Sequence, residues 1–274
     1  MDRVKLLSED LAKKHLTPER TQKFKDWIDN ANKARESGSL GSGDNQYDKA
    51  EELITFYTFA PLDLREDKKQ VIQEILGFCG IREPVEEPLT LAFERQLSPP
   101  KGYLEWLARE VSKHSIRYVR EQGREHAEAR KPLETNTHVD VVLEAENMLI
   151  LFEVKFTSDI SSKTTFNAHR NQLARTIDAG ISNLKNGQRL VVLLCSPSEF
   201  YRKKSRLYYY KLQEYTDFNE IKDDIGWREL PDIQRHLLSV GWVPLEKVLE
   251  IVYRNLEHPE LDEARAFFKE RRLG

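Results

Sequence analysis

The stretch Thr137-His-Val-Asp-Val-Val-Leu-Glu-Ala-Glu-Asn-Met-Leu-Ile-Leu-Phe-Glu-Val-Lys-Phe156 decides the fold class of this chain. Two runs within it, 137–143 and 148–156, are rich in Val, Ile, Leu and Phe, which is the composition of buried strands. Only a short polar segment separates the runs. The pattern therefore predicts two neighbouring strands of one sheet.

Three charged residues lie within these apolar runs. Because successive side chains of a strand point to opposite faces, Asp140 lies on the polar face of the first strand, and Glu153 and Lys155 share that of the second. A salt-bridge ladder on an exposed sheet is the ordinary explanation for such a pattern. Here the flanking residues predict a strand covered on both sides, where charges are costly unless they are paired or bind a metal. We therefore interpret the three residues as a functional site.

The turn between the strands sets which residues face each other. If Glu146-Asn147 is a two-residue hairpin loop, Ala145 pairs with Met148. The same register places Asp140 directly opposite Glu153. Opposed Cβ atoms of an antiparallel pair are about 4.5–5.5 Å apart, and two carboxylates at that distance repel unless a cation lies between them. Mg²⁺ fits such a site because it prefers oxygen ligands and keeps several waters; Mn²⁺ is the alternative.

Lys155 projects from the same face as Glu153. An ammonium group there is suited to orienting an attacking water or to offsetting charge that builds on a phosphate. The metal would make the water more acidic and would polarise the phosphoryl oxygen. Together these groups are suited to the hydrolysis of a phosphodiester.

The rest of the chain places the two strands in an α/β core. Residues 1–95 have helical patterns and predict a helical N-terminal region, and residues 201–274 predict a mostly helical extension packed on the core. The core itself is predicted over residues 96–200, where its first helix packs on the sheet. In order, a helix, two strands, a helix and a strand are predicted at 102–115, 137–143, 148–156, 166–184 and 190–195.

The composition excludes some classes of protein. The 274 residues include 43 Lys and Arg against 46 Asp and Glu, so contact with nucleic acid would need a local basic surface. Cys79 and Cys195 match neither a zinc spacing nor a disulfide framework. The first residues are acidic where a signal peptide needs an apolar run, and no stretch is apolar enough for a membrane span. We expect a soluble, cytoplasmic protein.

At this point the sequence resembles a known superfamily. Asp140 followed by Glu153-Val154-Lys155, on two strands with helices on either side, is similar to the PD-(D/E)XK or restriction-endonuclease-like nucleases, over about residues 100–196. One departure is Thr137-His138-Val139, where many members have a proline. The resemblance implies Asp140, Glu153 and the Val154 carbonyl as metal ligands and Lys155 as the catalytic lysine. It also implies metal-dependent cleavage of DNA, by an endonuclease of restriction or other defence.

The resemblance further implies residues from the two core helices. Many members add an acidic residue from the first helix, for which Glu105 is the candidate and Glu110 the alternative. In some branches a glutamine or basic residue of the next helix reaches the site, as Gln172 and Arg175 would from one turn apart. Arg170 and Arg175 are also candidates for contact with nucleic acid. An ordinary solvated helix surface is the competing explanation for all of these.

A basic and aromatic segment follows the last core strand. Residues 201–210, Tyr-Arg-Lys-Lys-Ser-Arg-Leu-Tyr-Tyr-Tyr, contain Arg202, Lys203 and Lys204, which can hold phosphates, and tyrosines, which can stack on bases. A solvated charged surface is again the alternative. We expect DNA as the partner and a homodimer as one assembly. Cleavage of RNA or branched DNA, and a non-catalytic nucleic-acid-binding module of the same fold, are the rival functions.

Overall fold

The computed structural model describes residues 9–36, 51–201, 204–258, 261–270 and 273. Within these ranges the chain is an α/β protein with 13 α-helices and a five-stranded mixed sheet. The strands are β1 (Thr90–Leu97), β2 (Thr137–Glu144), β3 (Met148–Val154), β4 (Arg189–Ser196) and β5 (Leu237–Pro244). The helices are α1 (Glu9–His15), α2 (Pro18–Glu36), α3 (Glu51–Phe59), α4 (Lys68–Phe78), α5 (Lys101–Lys113), α6 (Arg117–Glu128), α7 (Gln172–Ser182), α8 (Ser198–Tyr201), α9 (Leu207–Glu214), α10 (Phe218–Ile225), α11 (Leu230–His236), α12 (Leu245–Tyr253) and α13 (Asp262–Glu270).

The sheet has the strand order β1-β2-β3-β4-β5. Strand β2 is antiparallel to both β1 and β3. Strands β3, β4 and β5 run parallel to one another. The β2–β3 hairpin has the predicted register, since Val141 pairs with Phe152. The Ala145 N–H donates to the Met148 carbonyl at 2.9 Å, which confirms the two-residue loop.

Helices cover both faces of the sheet, which is why β3 and β4 consist almost entirely of apolar residues. On one face, side chains such as Ile150 and Leu193 share a core with α1 to α4, α12 and α13. On the other face, Leu151 and Leu194 share a core with α7 and α9 to α11. Both the N-terminal and the C-terminal helices therefore pack on the same sheet. No helix in the described ranges is long and apolar enough to cross a membrane.

The edge strands β1 and β5 were not predicted from the sequence. The expected domain boundary after residue 95 lies inside β1, and the boundary after residue 200 lies inside α8. Both strands depart from regular pairing, because Glu94 in β1 has φ 51° and the register between β4 and β5 shifts between Leu190 and Val191. Edge strands are covered less completely than central ones, so apolar composition marks them less clearly.

The first predicted core helix has a different place from the one expected. It is present as α5, but it does not pack on the sheet: Tyr103, Leu107 and Val111 form a separate cluster with α6. The helices α5 and α6 are a hairpin inserted between β1 and β2, and the helices in contact with β2 are α3 and α7. The helix predicted over 166–184 begins later, at Gln172, because the Asn171 side chain caps it by accepting from the Ala174 N–H.

Candidate active site

The charged residues of β2 and β3 meet at the edge of the sheet where the parallel strands end. The β2–β3 register, continued by one position from Val141, places Asp140 opposite Glu153. The Val154 N–H donates to Asp140 Oδ2 at 2.7 Å, and Lys155 Nζ is 4.0 Å from the same oxygen. The structure thus brings together the residues that the sequence predicts.

Glu153 is completely buried and faces α7. Thr176 Oγ1 donates to its Oε1 at 2.6 Å, and Gln172 Nε2 donates to its Oε2 at 2.7 Å. The predicted approach of Gln172 to the site is therefore confirmed. Both donors are uncharged, so they orient the Glu153 carboxylate without neutralising it.

Negative charge exceeds positive charge at this site. Burial raises the pKa of Glu153, and the charge of Asp140 raises it further. Burial also raises the pKa of Asp140, although Lys155 and the Val154 N–H oppose that rise. For Lys155 burial alone would lower the pKa, but the surrounding carboxylates outweigh burial and raise it. The lysine is therefore protonated at neutral pH.

Sequence reasoning missed Glu51, which the structure places beside Lys155. It is the first residue of α3, and its Oε2 is 3.9 Å from Lys155 Nζ. Its Oε1 accepts from the Phe156 N–H at 3.0 Å and from the Ser158 hydroxyl at 2.6 Å. A carboxylate in the first turn of a helix is common, so the sequence carried no sign of this role. We call Glu51, Asp140, Glu153 and Lys155 the carboxylate site.

Glu94 is a further acidic neighbour from β1. Its neighbours Phe93 and Arg95 pair with Val141 and Val139, which puts Glu94 level with Asp140, and its charge contributes to the raised pKa of Asp140. Its side chain forms an ion pair with Arg20 of α2. Acidic residues from three adjacent strands, Glu94, Asp140 and Glu153, therefore line up across the sheet.

The prediction that Glu105 supplies an acidic group to the site is wrong. Its side chain is 59% exposed, and it pairs with Lys101 on the same helix at 3.8 Å. Glu110, the alternative, is exposed on the same helix. Both belong to the inserted hairpin and not to a helix that packs against β2, and Glu51 from α3 supplies the acidic group instead.

The prediction that Arg170 binds nucleic acid is wrong, because its side chain is completely buried. Its Nε donates to Glu134 at 3.0 Å, its Nη2 is 2.9 Å from Asp178, and its guanidinium stacks 3.6 Å from the ring centre of Tyr103. Arg228 Nε is 2.5 Å from the other oxygen of Asp178. We call Arg170, Arg228, Glu134 and Asp178 the arginine cluster.

The other predicted contacts with nucleic acid have mixed outcomes. Arg175 is directed at the protein, since its Nε is 3.6 Å from Glu134 and its side chain is 19% exposed. Lys204 is exposed and follows α8 in the chain. Arg202 and Lys203 lie outside the described residues.

The oxygen atoms at the carboxylate site are suited to binding a hard cation. No group of three or more His, Cys, Asp or Glu side chains in the described ranges is placed to hold a metal by itself. The Val154 N–H points at Asp140, and the N–H and carbonyl of one strand residue point to the same neighbouring strand. The Val154 carbonyl can thus join Asp140 and Glu153 in an all-oxygen set, which fits Mg²⁺ or Mn²⁺.

The chain is an α/β protein in which a five-stranded mixed sheet carries the carboxylate site where its parallel strands end. No family model, curated protein or solved structure matches the chain.

Proposed function

We propose that this chain is a metal-dependent nuclease of the PD-(D/E)XK type that hydrolyses phosphodiester bonds of DNA. One observation carries the proposal: the buried carboxylate of Glu153 lies opposite Asp140, with Lys155 beside both. A salt-bridge ladder would be exposed and balanced in charge. Here Glu153 and Lys155 are buried and three carboxyl groups surround the one lysine, as in a site that binds a cation.

The order of elements supports this proposal. The helices α3 and α4 are followed by the antiparallel strands β1 to β3, then by α7 and the parallel strand β4. The same order of helix, antiparallel strands, helix and strand is what we expect of a restriction-endonuclease-like core. The helices α1, α2 and α8 to α13, with β5, would then be additions to that core.

Each residue of the site has a separate task in this mechanism. Asp140, Glu153 and the Val154 carbonyl would hold the Mg²⁺ or Mn²⁺, which when bound makes a water more acidic and polarises the phosphoryl oxygen. Lys155 would bind a phosphate oxygen and stabilise the charge of the transition state. Gln172 holds Glu153 in place by its hydrogen bond.

Cleavage of a substrate panel tests the proposal. Labelled duplex DNA, single-stranded DNA and RNA are incubated with Mg²⁺ or Mn²⁺ and with wild type, Lys155→Ala or Lys185→Ala. Lys185 is a matched control because it is exposed and lies at the opposite edge of the sheet. We expect metal-dependent cleavage of DNA by wild type and the control, and its loss in Lys155→Ala. Equal cleavage by Lys155→Ala would contradict the mechanism.

Metal binding separates the enzyme from the rival binding module. Calorimetry should detect a site for Mg²⁺ or Mn²⁺ that Asp140→Ala abolishes. A protein that binds DNA without such a site would be the non-catalytic module. Cleavage of RNA or of branched DNA alone would keep the mechanism and change the substrate. Restriction or defence as the biological role, and a homodimer as the assembly, belong to the proposal; light scattering checks the dimer.

A further inference from the structure

The hairpin of α5 and α6 is inserted at the edge of the sheet that bears the carboxylate site. The chain leaves β1 at Leu97 and enters β2 at Thr137, and these two residues pair with each other. Asp140 follows on the same strand. No residue of α6 is buried, and Tyr118 near its start is 65% exposed. The hairpin therefore presents one helix to solvent beside the site.

A cavity of about 420 Å³ lies between the two helices and the segment that returns to β2. Its volume is within the range of sites that bind small ligands. Its apolar wall includes Leu104, Ala108, Ala127 and Leu133. The lining also contains Arg120, Arg124 and Lys131 and no acidic residue. Arg124 and Lys131 are exposed, and their side chains have no ion-pair partner among the described residues.

A series of contacts connects the wall of this cavity to the carboxylate site. Leu133 is followed by Glu134, which binds Arg170 just before α7. Gln172, the first residue of α7, binds Glu153. The chain from Lys131 to Asp140 spans at most about 30 Å when fully extended. A nucleic-acid strand held at the cavity is therefore within a few nucleotides of the carboxylate site.

We propose that the cavity binds one unpaired nucleotide of the substrate strand, with its base against the apolar wall and its phosphates on Arg124 and Lys131. This inference rests on the proposed nuclease function and narrows its substrate. A base has apolar faces that pack against apolar side chains, and phosphates are held by Lys and Arg. An uncharged apolar ligand would use the wall and not the basic residues. The substrate class is thus single-stranded DNA, because a nucleotide of a duplex would first have to leave its stack.

Binding of a short fluorescein-labelled DNA, as a single strand and as a duplex, tests this by anisotropy in EDTA. Ala127→Trp fills the cavity without changing charge, and Ala108→Trp fills it from the other helix. The double variant Arg124→Ala with Lys131→Ala removes the positive charge. Lys185→Ala with Arg189→Ala removes the same charge at the opposite edge of the sheet and is the control. Thermal unfolding identifies any filling variant that fails to fold, and the other one then decides.

We expect each filling variant and the charge variant to weaken single-strand binding by about tenfold or more. The charge variant should also reduce the slope of log Kd against log salt by about 1.4, since each phosphate contact contributes about 0.7. The control should stay within about twofold of wild type.

Unchanged binding in a folded filling variant would overturn the inference. Arg124 and Lys131 would then attract DNA without the cavity holding a base. Tighter binding of the duplex than of the single strand would overturn it as well. These outcomes are distinct from failure of the nuclease proposal. That failure would appear as an absence of metal-dependent cleavage, whatever the anisotropy shows.

Discussion

The arginine cluster and the carboxylate site both lie beside α7, and both bury charge, but their charges are balanced differently. The arginine cluster pairs two cations with two anions. The carboxylate site has three carboxyl groups around one lysine, and burial and the charge of Asp140 raise the pKa of Glu153 to about 8. Removing one partner from a paired set of buried charges is strongly destabilising, whereas excess charge of one sign calls for a ligand of the other sign. Charge balance, and not burial, therefore separates a structural cluster from a site.

The largest expected effect concerns the arginine cluster. Arg170→Ala leaves Glu134 and Asp178 buried with less positive charge beside them, so the free energy of unfolding should fall by about 3–5 kcal/mol. Denaturant unfolding measures this. Arg117→Ala is the control, because Arg117 is 83% exposed and should change stability very little. If the two variants lost equal stability, the cluster would not have the structural role that its balance indicates.

The second expected effect is on the catalytic activity of the carboxylate site. Lys155→Ala should lower kcat for DNA cleavage by about 100-fold or more, because it removes the cation that offsets charge on the phosphate. Steady-state cleavage at saturating metal measures it. A lysine with a purely structural role would instead change the unfolding midpoint and leave kcat near that of wild type.

The third effect is a pH dependence of stability without metal. The folded protein holds the Glu153 proton more tightly than the unfolded chain, where a glutamate has a pKa of about 4.3. Stability should therefore fall as pH rises above that value and through the raised pKa. Glu153→Gln should remove part of the fall and be more stable than wild type by about 1 kcal/mol or more near pH 8. Denaturant midpoints near pH 5 and pH 8 test this, and parallel pH profiles would refute it.

The smallest effect concerns the residue that orients Glu153. Gln172→Ala removes one hydrogen bond to that carboxylate and should lower cleavage by about tenfold. Glu105→Gln changes a carboxyl group that pairs only with a residue of its own helix, so cleavage should not change. Equal losses in the two variants would show that the inserted hairpin contributes to the site as much as α7 does.

The residues of the β2–β3 hairpin could be predicted because strand geometry is local. Alternation and a two-residue turn fixed the position of Asp140 opposite Glu153 without any knowledge of the rest of the chain. The resemblance to the nuclease superfamily implied that Gln172 approaches the site, and the structure confirms that it is a neighbour of Glu153.

Glu51 and the role of Arg170 could not be predicted because both depend on contacts between distant parts of the chain. Glu51 is a helix-start carboxylate like many others until α3 packs beside β2. Arg170 looks like a surface residue of a polar helix until Glu134 and Asp178 close around it. The edge strands β1 and β5 were missed because they are only partly covered, so their apolar patterns are weaker than those of the central strands.

The cap of α7 has a consequence for the order in which the molecule is made. The Asn171 side chain caps that helix and also donates to Asp224 in α10 at 2.8 Å, while Glu51 comes from the N-terminal helices. Contacts this far apart in sequence form late in folding. A chain still on the ribosome, not yet extended beyond Asp224, would lack a partner that holds α7 against Glu153. In the proposed nuclease, activity would therefore arise only after the chain has extended beyond Asp224.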